Sequence, residues 1–197
     1  MNHPGMKNNF SEEEKQIFEW SDDNFKKIRE IISKYPNGKQ QSAVIPLLDL
    51  AQRQNRGWLN KEALEKVAET LSMSFIRVME VATFYSMFNL EPVGKNYIQI
   101  CRTTPCWLRG SDKLLEVAKK ETGCSLGKSS EDKKFTLVEV ECLGACCNAP
   151  MVQINDDYYE DLNEENFKKI LNNLKVGNKN NKGSQIGRIS SDPLRNK

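Results

Sequence analysis

The chain has 197 residues with a net charge of +2; hydrophobic residues make up 38% and charged residues 28%, enough for a packed core and too apolar for a disordered chain. No stretch approaches the roughly 18 apolar residues of a membrane span, since the best candidate, 78–90, is short and holds Glu80. The positive excess sits in 175–197, with six basic residues against one acidic, so a folded nucleic-acid-binding face is not expected. The N-terminus shows no apolar signal core, and the first arginine is Arg29, which argues for a cytosolic, bacterial-type protein.

Residues 1–20 read as a flexible N-terminus, although Ser11-Glu12-Glu13-Glu14 has the spacing of a capped helix start. Residues 21–91 read as a helical bundle. Ser21-Asp22-Asp23 opens a first helix, with Phe25, Ile28, Ile31 and Ile32 at helical period, and Pro36-Asn37-Gly38 stops it. A second helix is expected from about Ser42, with Pro46 in its first turn, to Asn55-Arg56-Gly57. A third spans 61–71 and a fourth 74–88, its core stripe being Phe75, Val78, Met79, Ala82 and Phe84.

The pattern changes at Pro92-Val93-Gly94. Residues 96–100 alternate as a strand, 111–121 are helical to Thr122-Gly123, 135–140 form a second strand and 151–154 a third. Asn155-Asp156-Asp157 turns into a short strand at 158–160, and Asn163 caps a last helix over 164–174. This β-α-β-β-β-α order over 92–175 suggests a small α/β domain of thioredoxin-like type. Pro150, opening the third strand, is a candidate cis residue. Residues 176–197 read as a basic flexible tail.

All six cysteines lie beyond residue 100, at 101, 106, 124, 142, 146 and 147. In a reducing compartment they point to metal or redox chemistry rather than to disulfides. Cys101 and Cys142 fall at the ends of two strands. If those ends share an edge, the pairs Cys101/Cys106 and Cys142/Cys146 converge. Four thiolates suit a [2Fe–2S] cluster, two per iron. They also suit structural zinc, and a thiol sensor is a third possibility. His3 is the sole histidine, so a histidine-containing core site is not available. A four-thiolate [2Fe–2S] cluster is an anion, and the small-residue loops 103–106 and 143–146 let amides approach sulfur. Arg102 and Arg109 are candidate sources of positive charge.

The run Cys101-Arg102-Thr103-Thr104-Pro105-Cys106-Trp107 resembles the first cluster loop of the peripheral [2Fe–2S] subunit family of respiratory complex I. Glu141-Cys142-Leu143-Gly144-Ala145-Cys146, followed by Asn148-Ala149-Pro150, resembles the second. Gln40 to Leu48 and Val81-Ala82-Thr83-Phe84-Tyr85 are similar to its helical part. The resemblance implies a mixed α+β or α/β fold, an N-terminal helical bundle followed by a thioredoxin-like [2Fe–2S] ferredoxin domain. It implies one cluster on Cys101, Cys106, Cys142 and Cys146, and no catalytic residue. It also implies an electron-transfer role beside a flavoprotein subunit that itself holds FMN and NADH, within an NADH:quinone oxidoreductase on the cytoplasmic face of a bacterial inner membrane. The equivalent subunit of a soluble NAD-linked hydrogenase or formate dehydrogenase has the same motifs, and a structural zinc adaptor is the rival from another class.

Three departures stand out. Position 102 is usually a small hydroxyl residue in that family. Arg102, if it faces the cluster, is expected to favour the reduced state. Position 147 is usually aliphatic, so Cys147 is expected to be a small buried residue, with a Cys142/Cys147 pairing as the competitor. Cys124 is expected to be a free loop thiol. The segment 183–188 resembles the family's C-terminal extension, which contacts the flavoprotein, and its early end suggests a reduced contact. Trp58 and Trp107 are expected to pack rather than relay electrons.

Overall fold

A computed structural model describes residues 17–189; the helix start at Ser11, His3 and residues 190–197 lie outside the described residues. The chain divides into two compact units between Pro92 and Val93.

The first unit packs four helices around one core. Helix α1 (Asp22–Ser33) is capped by Ser21, whose Oγ accepts the Asn24 N–H at 3.4 Å, and Asp22 and Asp23 sit at its positive end. Ile28 is buried as expected, but Phe25 is exposed, because Asn24 takes the inward position and donates to Gln54 Oε1 at 2.6 Å. A 3₁₀ turn (Gln40–Ala43) leads into α2 (Val44–Gln54). Helix α3 (Lys61–Leu71) is capped by Asn60, which accepts the Ala63 N–H at 2.9 Å, and ends on Ser72 in the left-handed region. Helix α4 (Phe75–Phe84) stops four residues short of the expected end. Phe84 is 76% exposed rather than core, so nothing apolar draws the helix onward. Instead the chain turns to bury Phe88 and Leu90. Gln52 holds that turn, accepting the Asn89 N–H at 2.7 Å and donating to the Met87 carbonyl at 3.0 Å. Leu47, Leu48, Leu59, Leu64, Leu71, Val78 and Phe88 form the dry centre.

The second unit is a six-stranded mixed sheet. Its strands are β1 (Asn96–Cys101), β2 (Lys128–Ser129), β3 (Phe135–Val140), β4 (Val152–Ile154), β5 (Asp157–Glu160) and β6 (Gly183–Ser184), in the order β2-β3-β1-β4-β5-β6. Strand β1 is central, parallel to β3 and antiparallel to β4. A parallel pair needs a crossover, which is supplied by helices α5 (Thr104–Leu108) and α6 (Ser111–Thr122). Helix α7 (Glu164–Lys175), with Asn163 and Asn166 forming a reciprocal cap, lies beside α6. Leu114, Leu115, Ala118, Phe167, Ile170 and Leu171 share a core with Ile98, Ile100, Leu137 and Val152. Asn155, in the left-handed region, makes the tight β4–β5 hairpin.

Three elements differ from the sequence expectation. Strands β2 and β6 have two residues each and are made by main-chain pairing without apolar alternation, and α5 is only five residues long. The expected flexible tail is corrected over 176–189. Gly183 and Ser184 pair in parallel with Tyr159 and Glu160 and extend the sheet. Cys124 is the free loop thiol expected after Gly123, and it is buried in the core, its Sγ lying 3.6 Å from the Phe135 carbonyl. No helix among the described residues is long and apolar enough to cross a membrane.

Candidate metal centre

The parallel register places Cys101 opposite Val140, so the chain leaves β1 and β3 side by side. The Arg102 N–H, bonded to the Val140 carbonyl at 3.2 Å, carries the ladder one step further. From β1 the chain enters α5 through Thr103, with Pro105 in the first turn where its missing N–H costs nothing. That turn folds Cys106 inward. From β3 the chain makes a loop through Cys142, Leu143 and Gly144, the last at φ +84°, into a 3₁₀ turn (Cys146–Asn148). Tyr158 ties the loop down, its hydroxyl donating to the Leu143 carbonyl at 2.8 Å.

Two sulfurs are therefore inner and two outer. Cys101 and Cys106 are each 1% exposed, in a small apolar cluster with Ala149 and Met151. Cys142 and Cys146 are exposed, their Sγ atoms 3.3 Å apart. The inner and outer pairs are within electrostatic reach of each other: Cys101 acts on Cys146, and the Thr103 hydroxyl, 3.3 Å from Cys101 Sγ, also reaches Cys142.

Main-chain amides point at each sulfur. The Gly144 N–H lies 3.4 Å from Cys142 Sγ. The amides of Thr103 and Leu143 face Cys101, that of Met151 faces Cys106, and Cys146 receives its own. Burial raises the Cys101 thiol, but donors from Thr103, Cys106 and Leu143 outweigh it and hold the thiol below its ordinary value. Burial, with the Cys101 and Cys146 sulfurs adding to it, pushes Cys106 up to about 12. In the outer pair the Gly144 amide lowers Cys142, and the neighbouring Cys142 sulfur raises Cys146. Each pair thus holds one thiol shifted toward ionisation and one shifted away from it. Cations between the sulfurs would stabilise all four as thiolates. Among the described residues no three His, Cys, Asp or Glu side chains are placed to hold a single metal ion. The thiols stand in two pairs, a donor set that suits two irons with two sulfurs each.

Several expectations are corrected here. Cys147 is exposed, not buried. In the tight turn Asn148 takes the buried position, donating to Glu160 Oε2 at 2.6 Å, and leaves Cys147 exposed. Arg102 is not an unmatched cation beside the sulfurs. Its guanidinium binds Asp112 on α6 and Glu139 on β3, so two carboxylates outnumber its single charge. Arg109 is exposed, and its charge is felt at Asp161. Trp107 is 54% exposed and does not pack. The candidate cis residue, by contrast, is as expected: the Ala149–Pro150 peptide is cis. Sequence reasoning treated Thr103 as merely small, saw Tyr158 only as a strand residue and Arg188 only as part of the C-terminal segment, and passed over Asp161; only the fold brings these to the cysteine loops.

The family model described as thioredoxin-like [2Fe-2S] ferredoxin matches residues 28–175. A subunit of the NADH-quinone oxidoreductase of Rickettsia conorii is 57% identical over 157 residues, 80% of this chain and 94% of that protein. The "NADH dehydrogenase [ubiquinone] flavoprotein 2, mitochondrial" of Dictyostelium discoideum is 49% identical over 170 residues, 86% of this chain and 67% of that one. Among solved structures, an NAD+-reducing [NiFe]-hydrogenase in the H2-reduced state superimposes with a TM-score of 0.59 at 20% identity, over 67% of this chain and 22% of the other. That likeness carries the fold alone.

Proposed function

The chain belongs to the thioredoxin-like [2Fe-2S] ferredoxin family, and on that premise we propose that it is the iron–sulfur electron-transfer subunit of an NADH:quinone oxidoreductase, with Cys101, Cys106, Cys142 and Cys146 as the cluster ligands. The observation that carries this is the pairing of four thiols at the common end of β1 and β3, with a main-chain amide facing each sulfur. A bound [2Fe–2S] cluster supplies one-electron chemistry at such a donor set.

The residues of this chain divide the work. Cys101 and Cys106 hold the inner side, buried with Met151 and Ala149, where water is excluded. Cys142 and Cys146 hold the outer side. The amides of Thr103, Leu143, Gly144 and Met151 and the Thr103 hydroxyl offset negative charge on sulfur, and such donors stabilise a reduced state more than an oxidised one. Arg102, matched by Asp112 and Glu139, ties the end of β1 to β3 and α6. The sequence holds no phosphate-cradling glycine loop and no dinucleotide fingerprint. NADH and FMN accordingly belong to a partner flavoprotein subunit. The exposed rim of Cys142, Cys146, Trp107 and Leu108 is the face this unit offers to that partner, in a peripheral assembly on the cytoplasmic side of the membrane.

Anaerobically purified protein should contain about two iron and two acid-labile sulfide per chain and give a spin-half EPR signal after dithionite reduction. Serine at any of the four positions should abolish or alter that signal. A colourless protein with one zinc overturns the reading.

A further inference from the structure

The geometry points to Arg188 as a positioning residue for the outer thiol pair: reaching back from the C-terminal segment, it holds the carbonyl of Cys147 and with it the turn that carries Cys146. The inference rests on the reading of Cys142 and Cys146 as ligands, and it assigns a second task to a segment whose first expectation was a free tail.

The turn has little of its own to hold it. Residues 146–148 form a single 3₁₀ turn after a left-handed glycine, so few internal bonds fix it. The Asn148 N–H donates to the Ala145 carbonyl at 3.0 Å, and the Ala149 N–H to the Cys146 carbonyl at 3.3 Å. The other two carbonyls of the turn are held from outside. Asn148 accepts the Asp161 N–H at 2.8 Å. Cys147 accepts Arg188 Nη2 at 2.9 Å, from a residue 41 positions away.

Arg188 is itself firmly set. Its Nε donates to Asp161 Oδ2 at 2.9 Å, and Nη2 also binds Asp161 Oδ1, giving a two-pronged pair. The two side chains are 10% and 4% exposed. Burial raises the Asp161 carboxyl, but Arg188 and Ser184 outweigh it and hold it below the usual carboxylate range. Ser184 Oγ donates to Asp161 Oδ2 at 2.7 Å and accepts the Arg188 N–H at 3.1 Å. Ser184 is fixed in turn by pairing with Glu160 at the end of β5. Glu160 also receives Asn148 Nδ2, so one strand end anchors both the strap and the turn. A planar guanidinium can make the carboxylate fork and bind a carbonyl together; an ammonium is a point charge and cannot reproduce both. The strap thus grips the outer loop, while the inner sulfurs are placed by β1 and α5.

The test uses the full chain with Arg188→Gln and Arg188→Lys. In the cluster-free protein, amide hydrogen exchange at 145–149 should quicken about tenfold in both variants, the loss of roughly one hydrogen bond, while exchange in β1 stays as in wild type. In the cluster-loaded protein, bleaching by a chelator should quicken and the EPR lines should broaden. The lysine variant, retaining a cation beside Asp161 but not the fork, should lose less melting temperature than the glutamine variant and still show the local effect in full, which a merely structural role would not produce. Wild-type exchange at 145–149 in the lysine variant overturns the inference, as does faster exchange with unchanged bleaching and EPR lines. If the wild-type chain assembles no cluster, the ligand reading fails separately, and the exchange measurement still decides whether Arg188 holds the turn.

Discussion

Gly94 bears on the site although it touches no cysteine. A Cβ at this position would lie 2.6, 2.7 and 2.8 Å from the carbonyl carbon, oxygen and nitrogen of Phe135, against ordinary contact from 3.4 Å upward. Every one of these neighbours is main chain, so no side chain can swing away. Strand β3 has to move by ~0.7 Å, and overpacking of this kind costs about 1–3 kcal/mol. Three main-chain donors depend on the same approach: the Gly94 N–H to Thr136 Oγ1 at 2.6 Å, Lys95 to Lys133 O at 3.0 Å and Asn96 to Lys134 O at 2.9 Å. Loss of one adds about 1 kcal/mol. Gly94→Ala should therefore destabilise the unit that begins at Val93 by about 2–4 kcal/mol, a fall of roughly 10–25 °C in melting temperature for a domain of this size. Thermal unfolding followed by circular dichroism measures it. Gly38→Ala is the control. Gly38 has a φ of +77° but nothing within 4 Å, so only backbone strain of about 1 kcal/mol applies there. A Gly94→Ala protein that melts with wild type, or no lower than the control, refutes the close-approach argument. Because β3 leads directly to Cys142, the variant should also assemble its cluster poorly.

Thr103→Val removes the hydroxyl that reaches Cys101 and Cys142; the reduction potential should fall by on the order of tens of millivolts, read by redox titration with EPR, and a rise refutes the donor role. Cys147→Ser and Cys124→Ser should each retain iron and sulfide, since the close outer sulfur pair is Cys142 with Cys146 and Cys124 is buried in the core. Phe88→Ala should cost about 3–5 kcal/mol and Phe84→Ser less than about 0.5, because the first is fully buried and the second 76% exposed; urea unfolding compares them. Lys175 and Lys168 hold the Glu121 carboxyl below its usual range, and Asp161 is held low by Arg188 against its own burial. In both, the unfolded state binds more protons between the folded and unfolded pKa values. The stability they supply is thus complete above an unfolded pKa of about 4 and lost as pH falls through the folded values. Glu121→Gln should flatten the acid limb of a plot of melting temperature against pH, and an unchanged limb refutes the assignment.

The helices and long strands were legible because their signals are local. Asn60 and Asn163 cap where short polar side chains satisfy free amides, and 96–100 alternates as a strand buried on one side does. The cysteine spacing marked the four candidate ligands for the same reason: a loop that leaves a strand and returns a second thiol within a few residues is a sequence-local object. What sequence could not decide was which way a side chain turns when two elements compete for it. Arg102 reads as a bare cation until β3 and α6 bring Glu139 and Asp112 to it. Cys147 reads as buried until Asn148 claims the inward side of the turn through Glu160. The segment 183–188 has the composition of a solvated tail, and its order comes from partners 23 to 41 residues away, Asp161 and the Cys147 carbonyl. Such contacts draw their free energy from surfaces that exist only after the sheet has formed. Composition and periodicity register a residue's own preference, whereas its partner across the fold is set by chain topology.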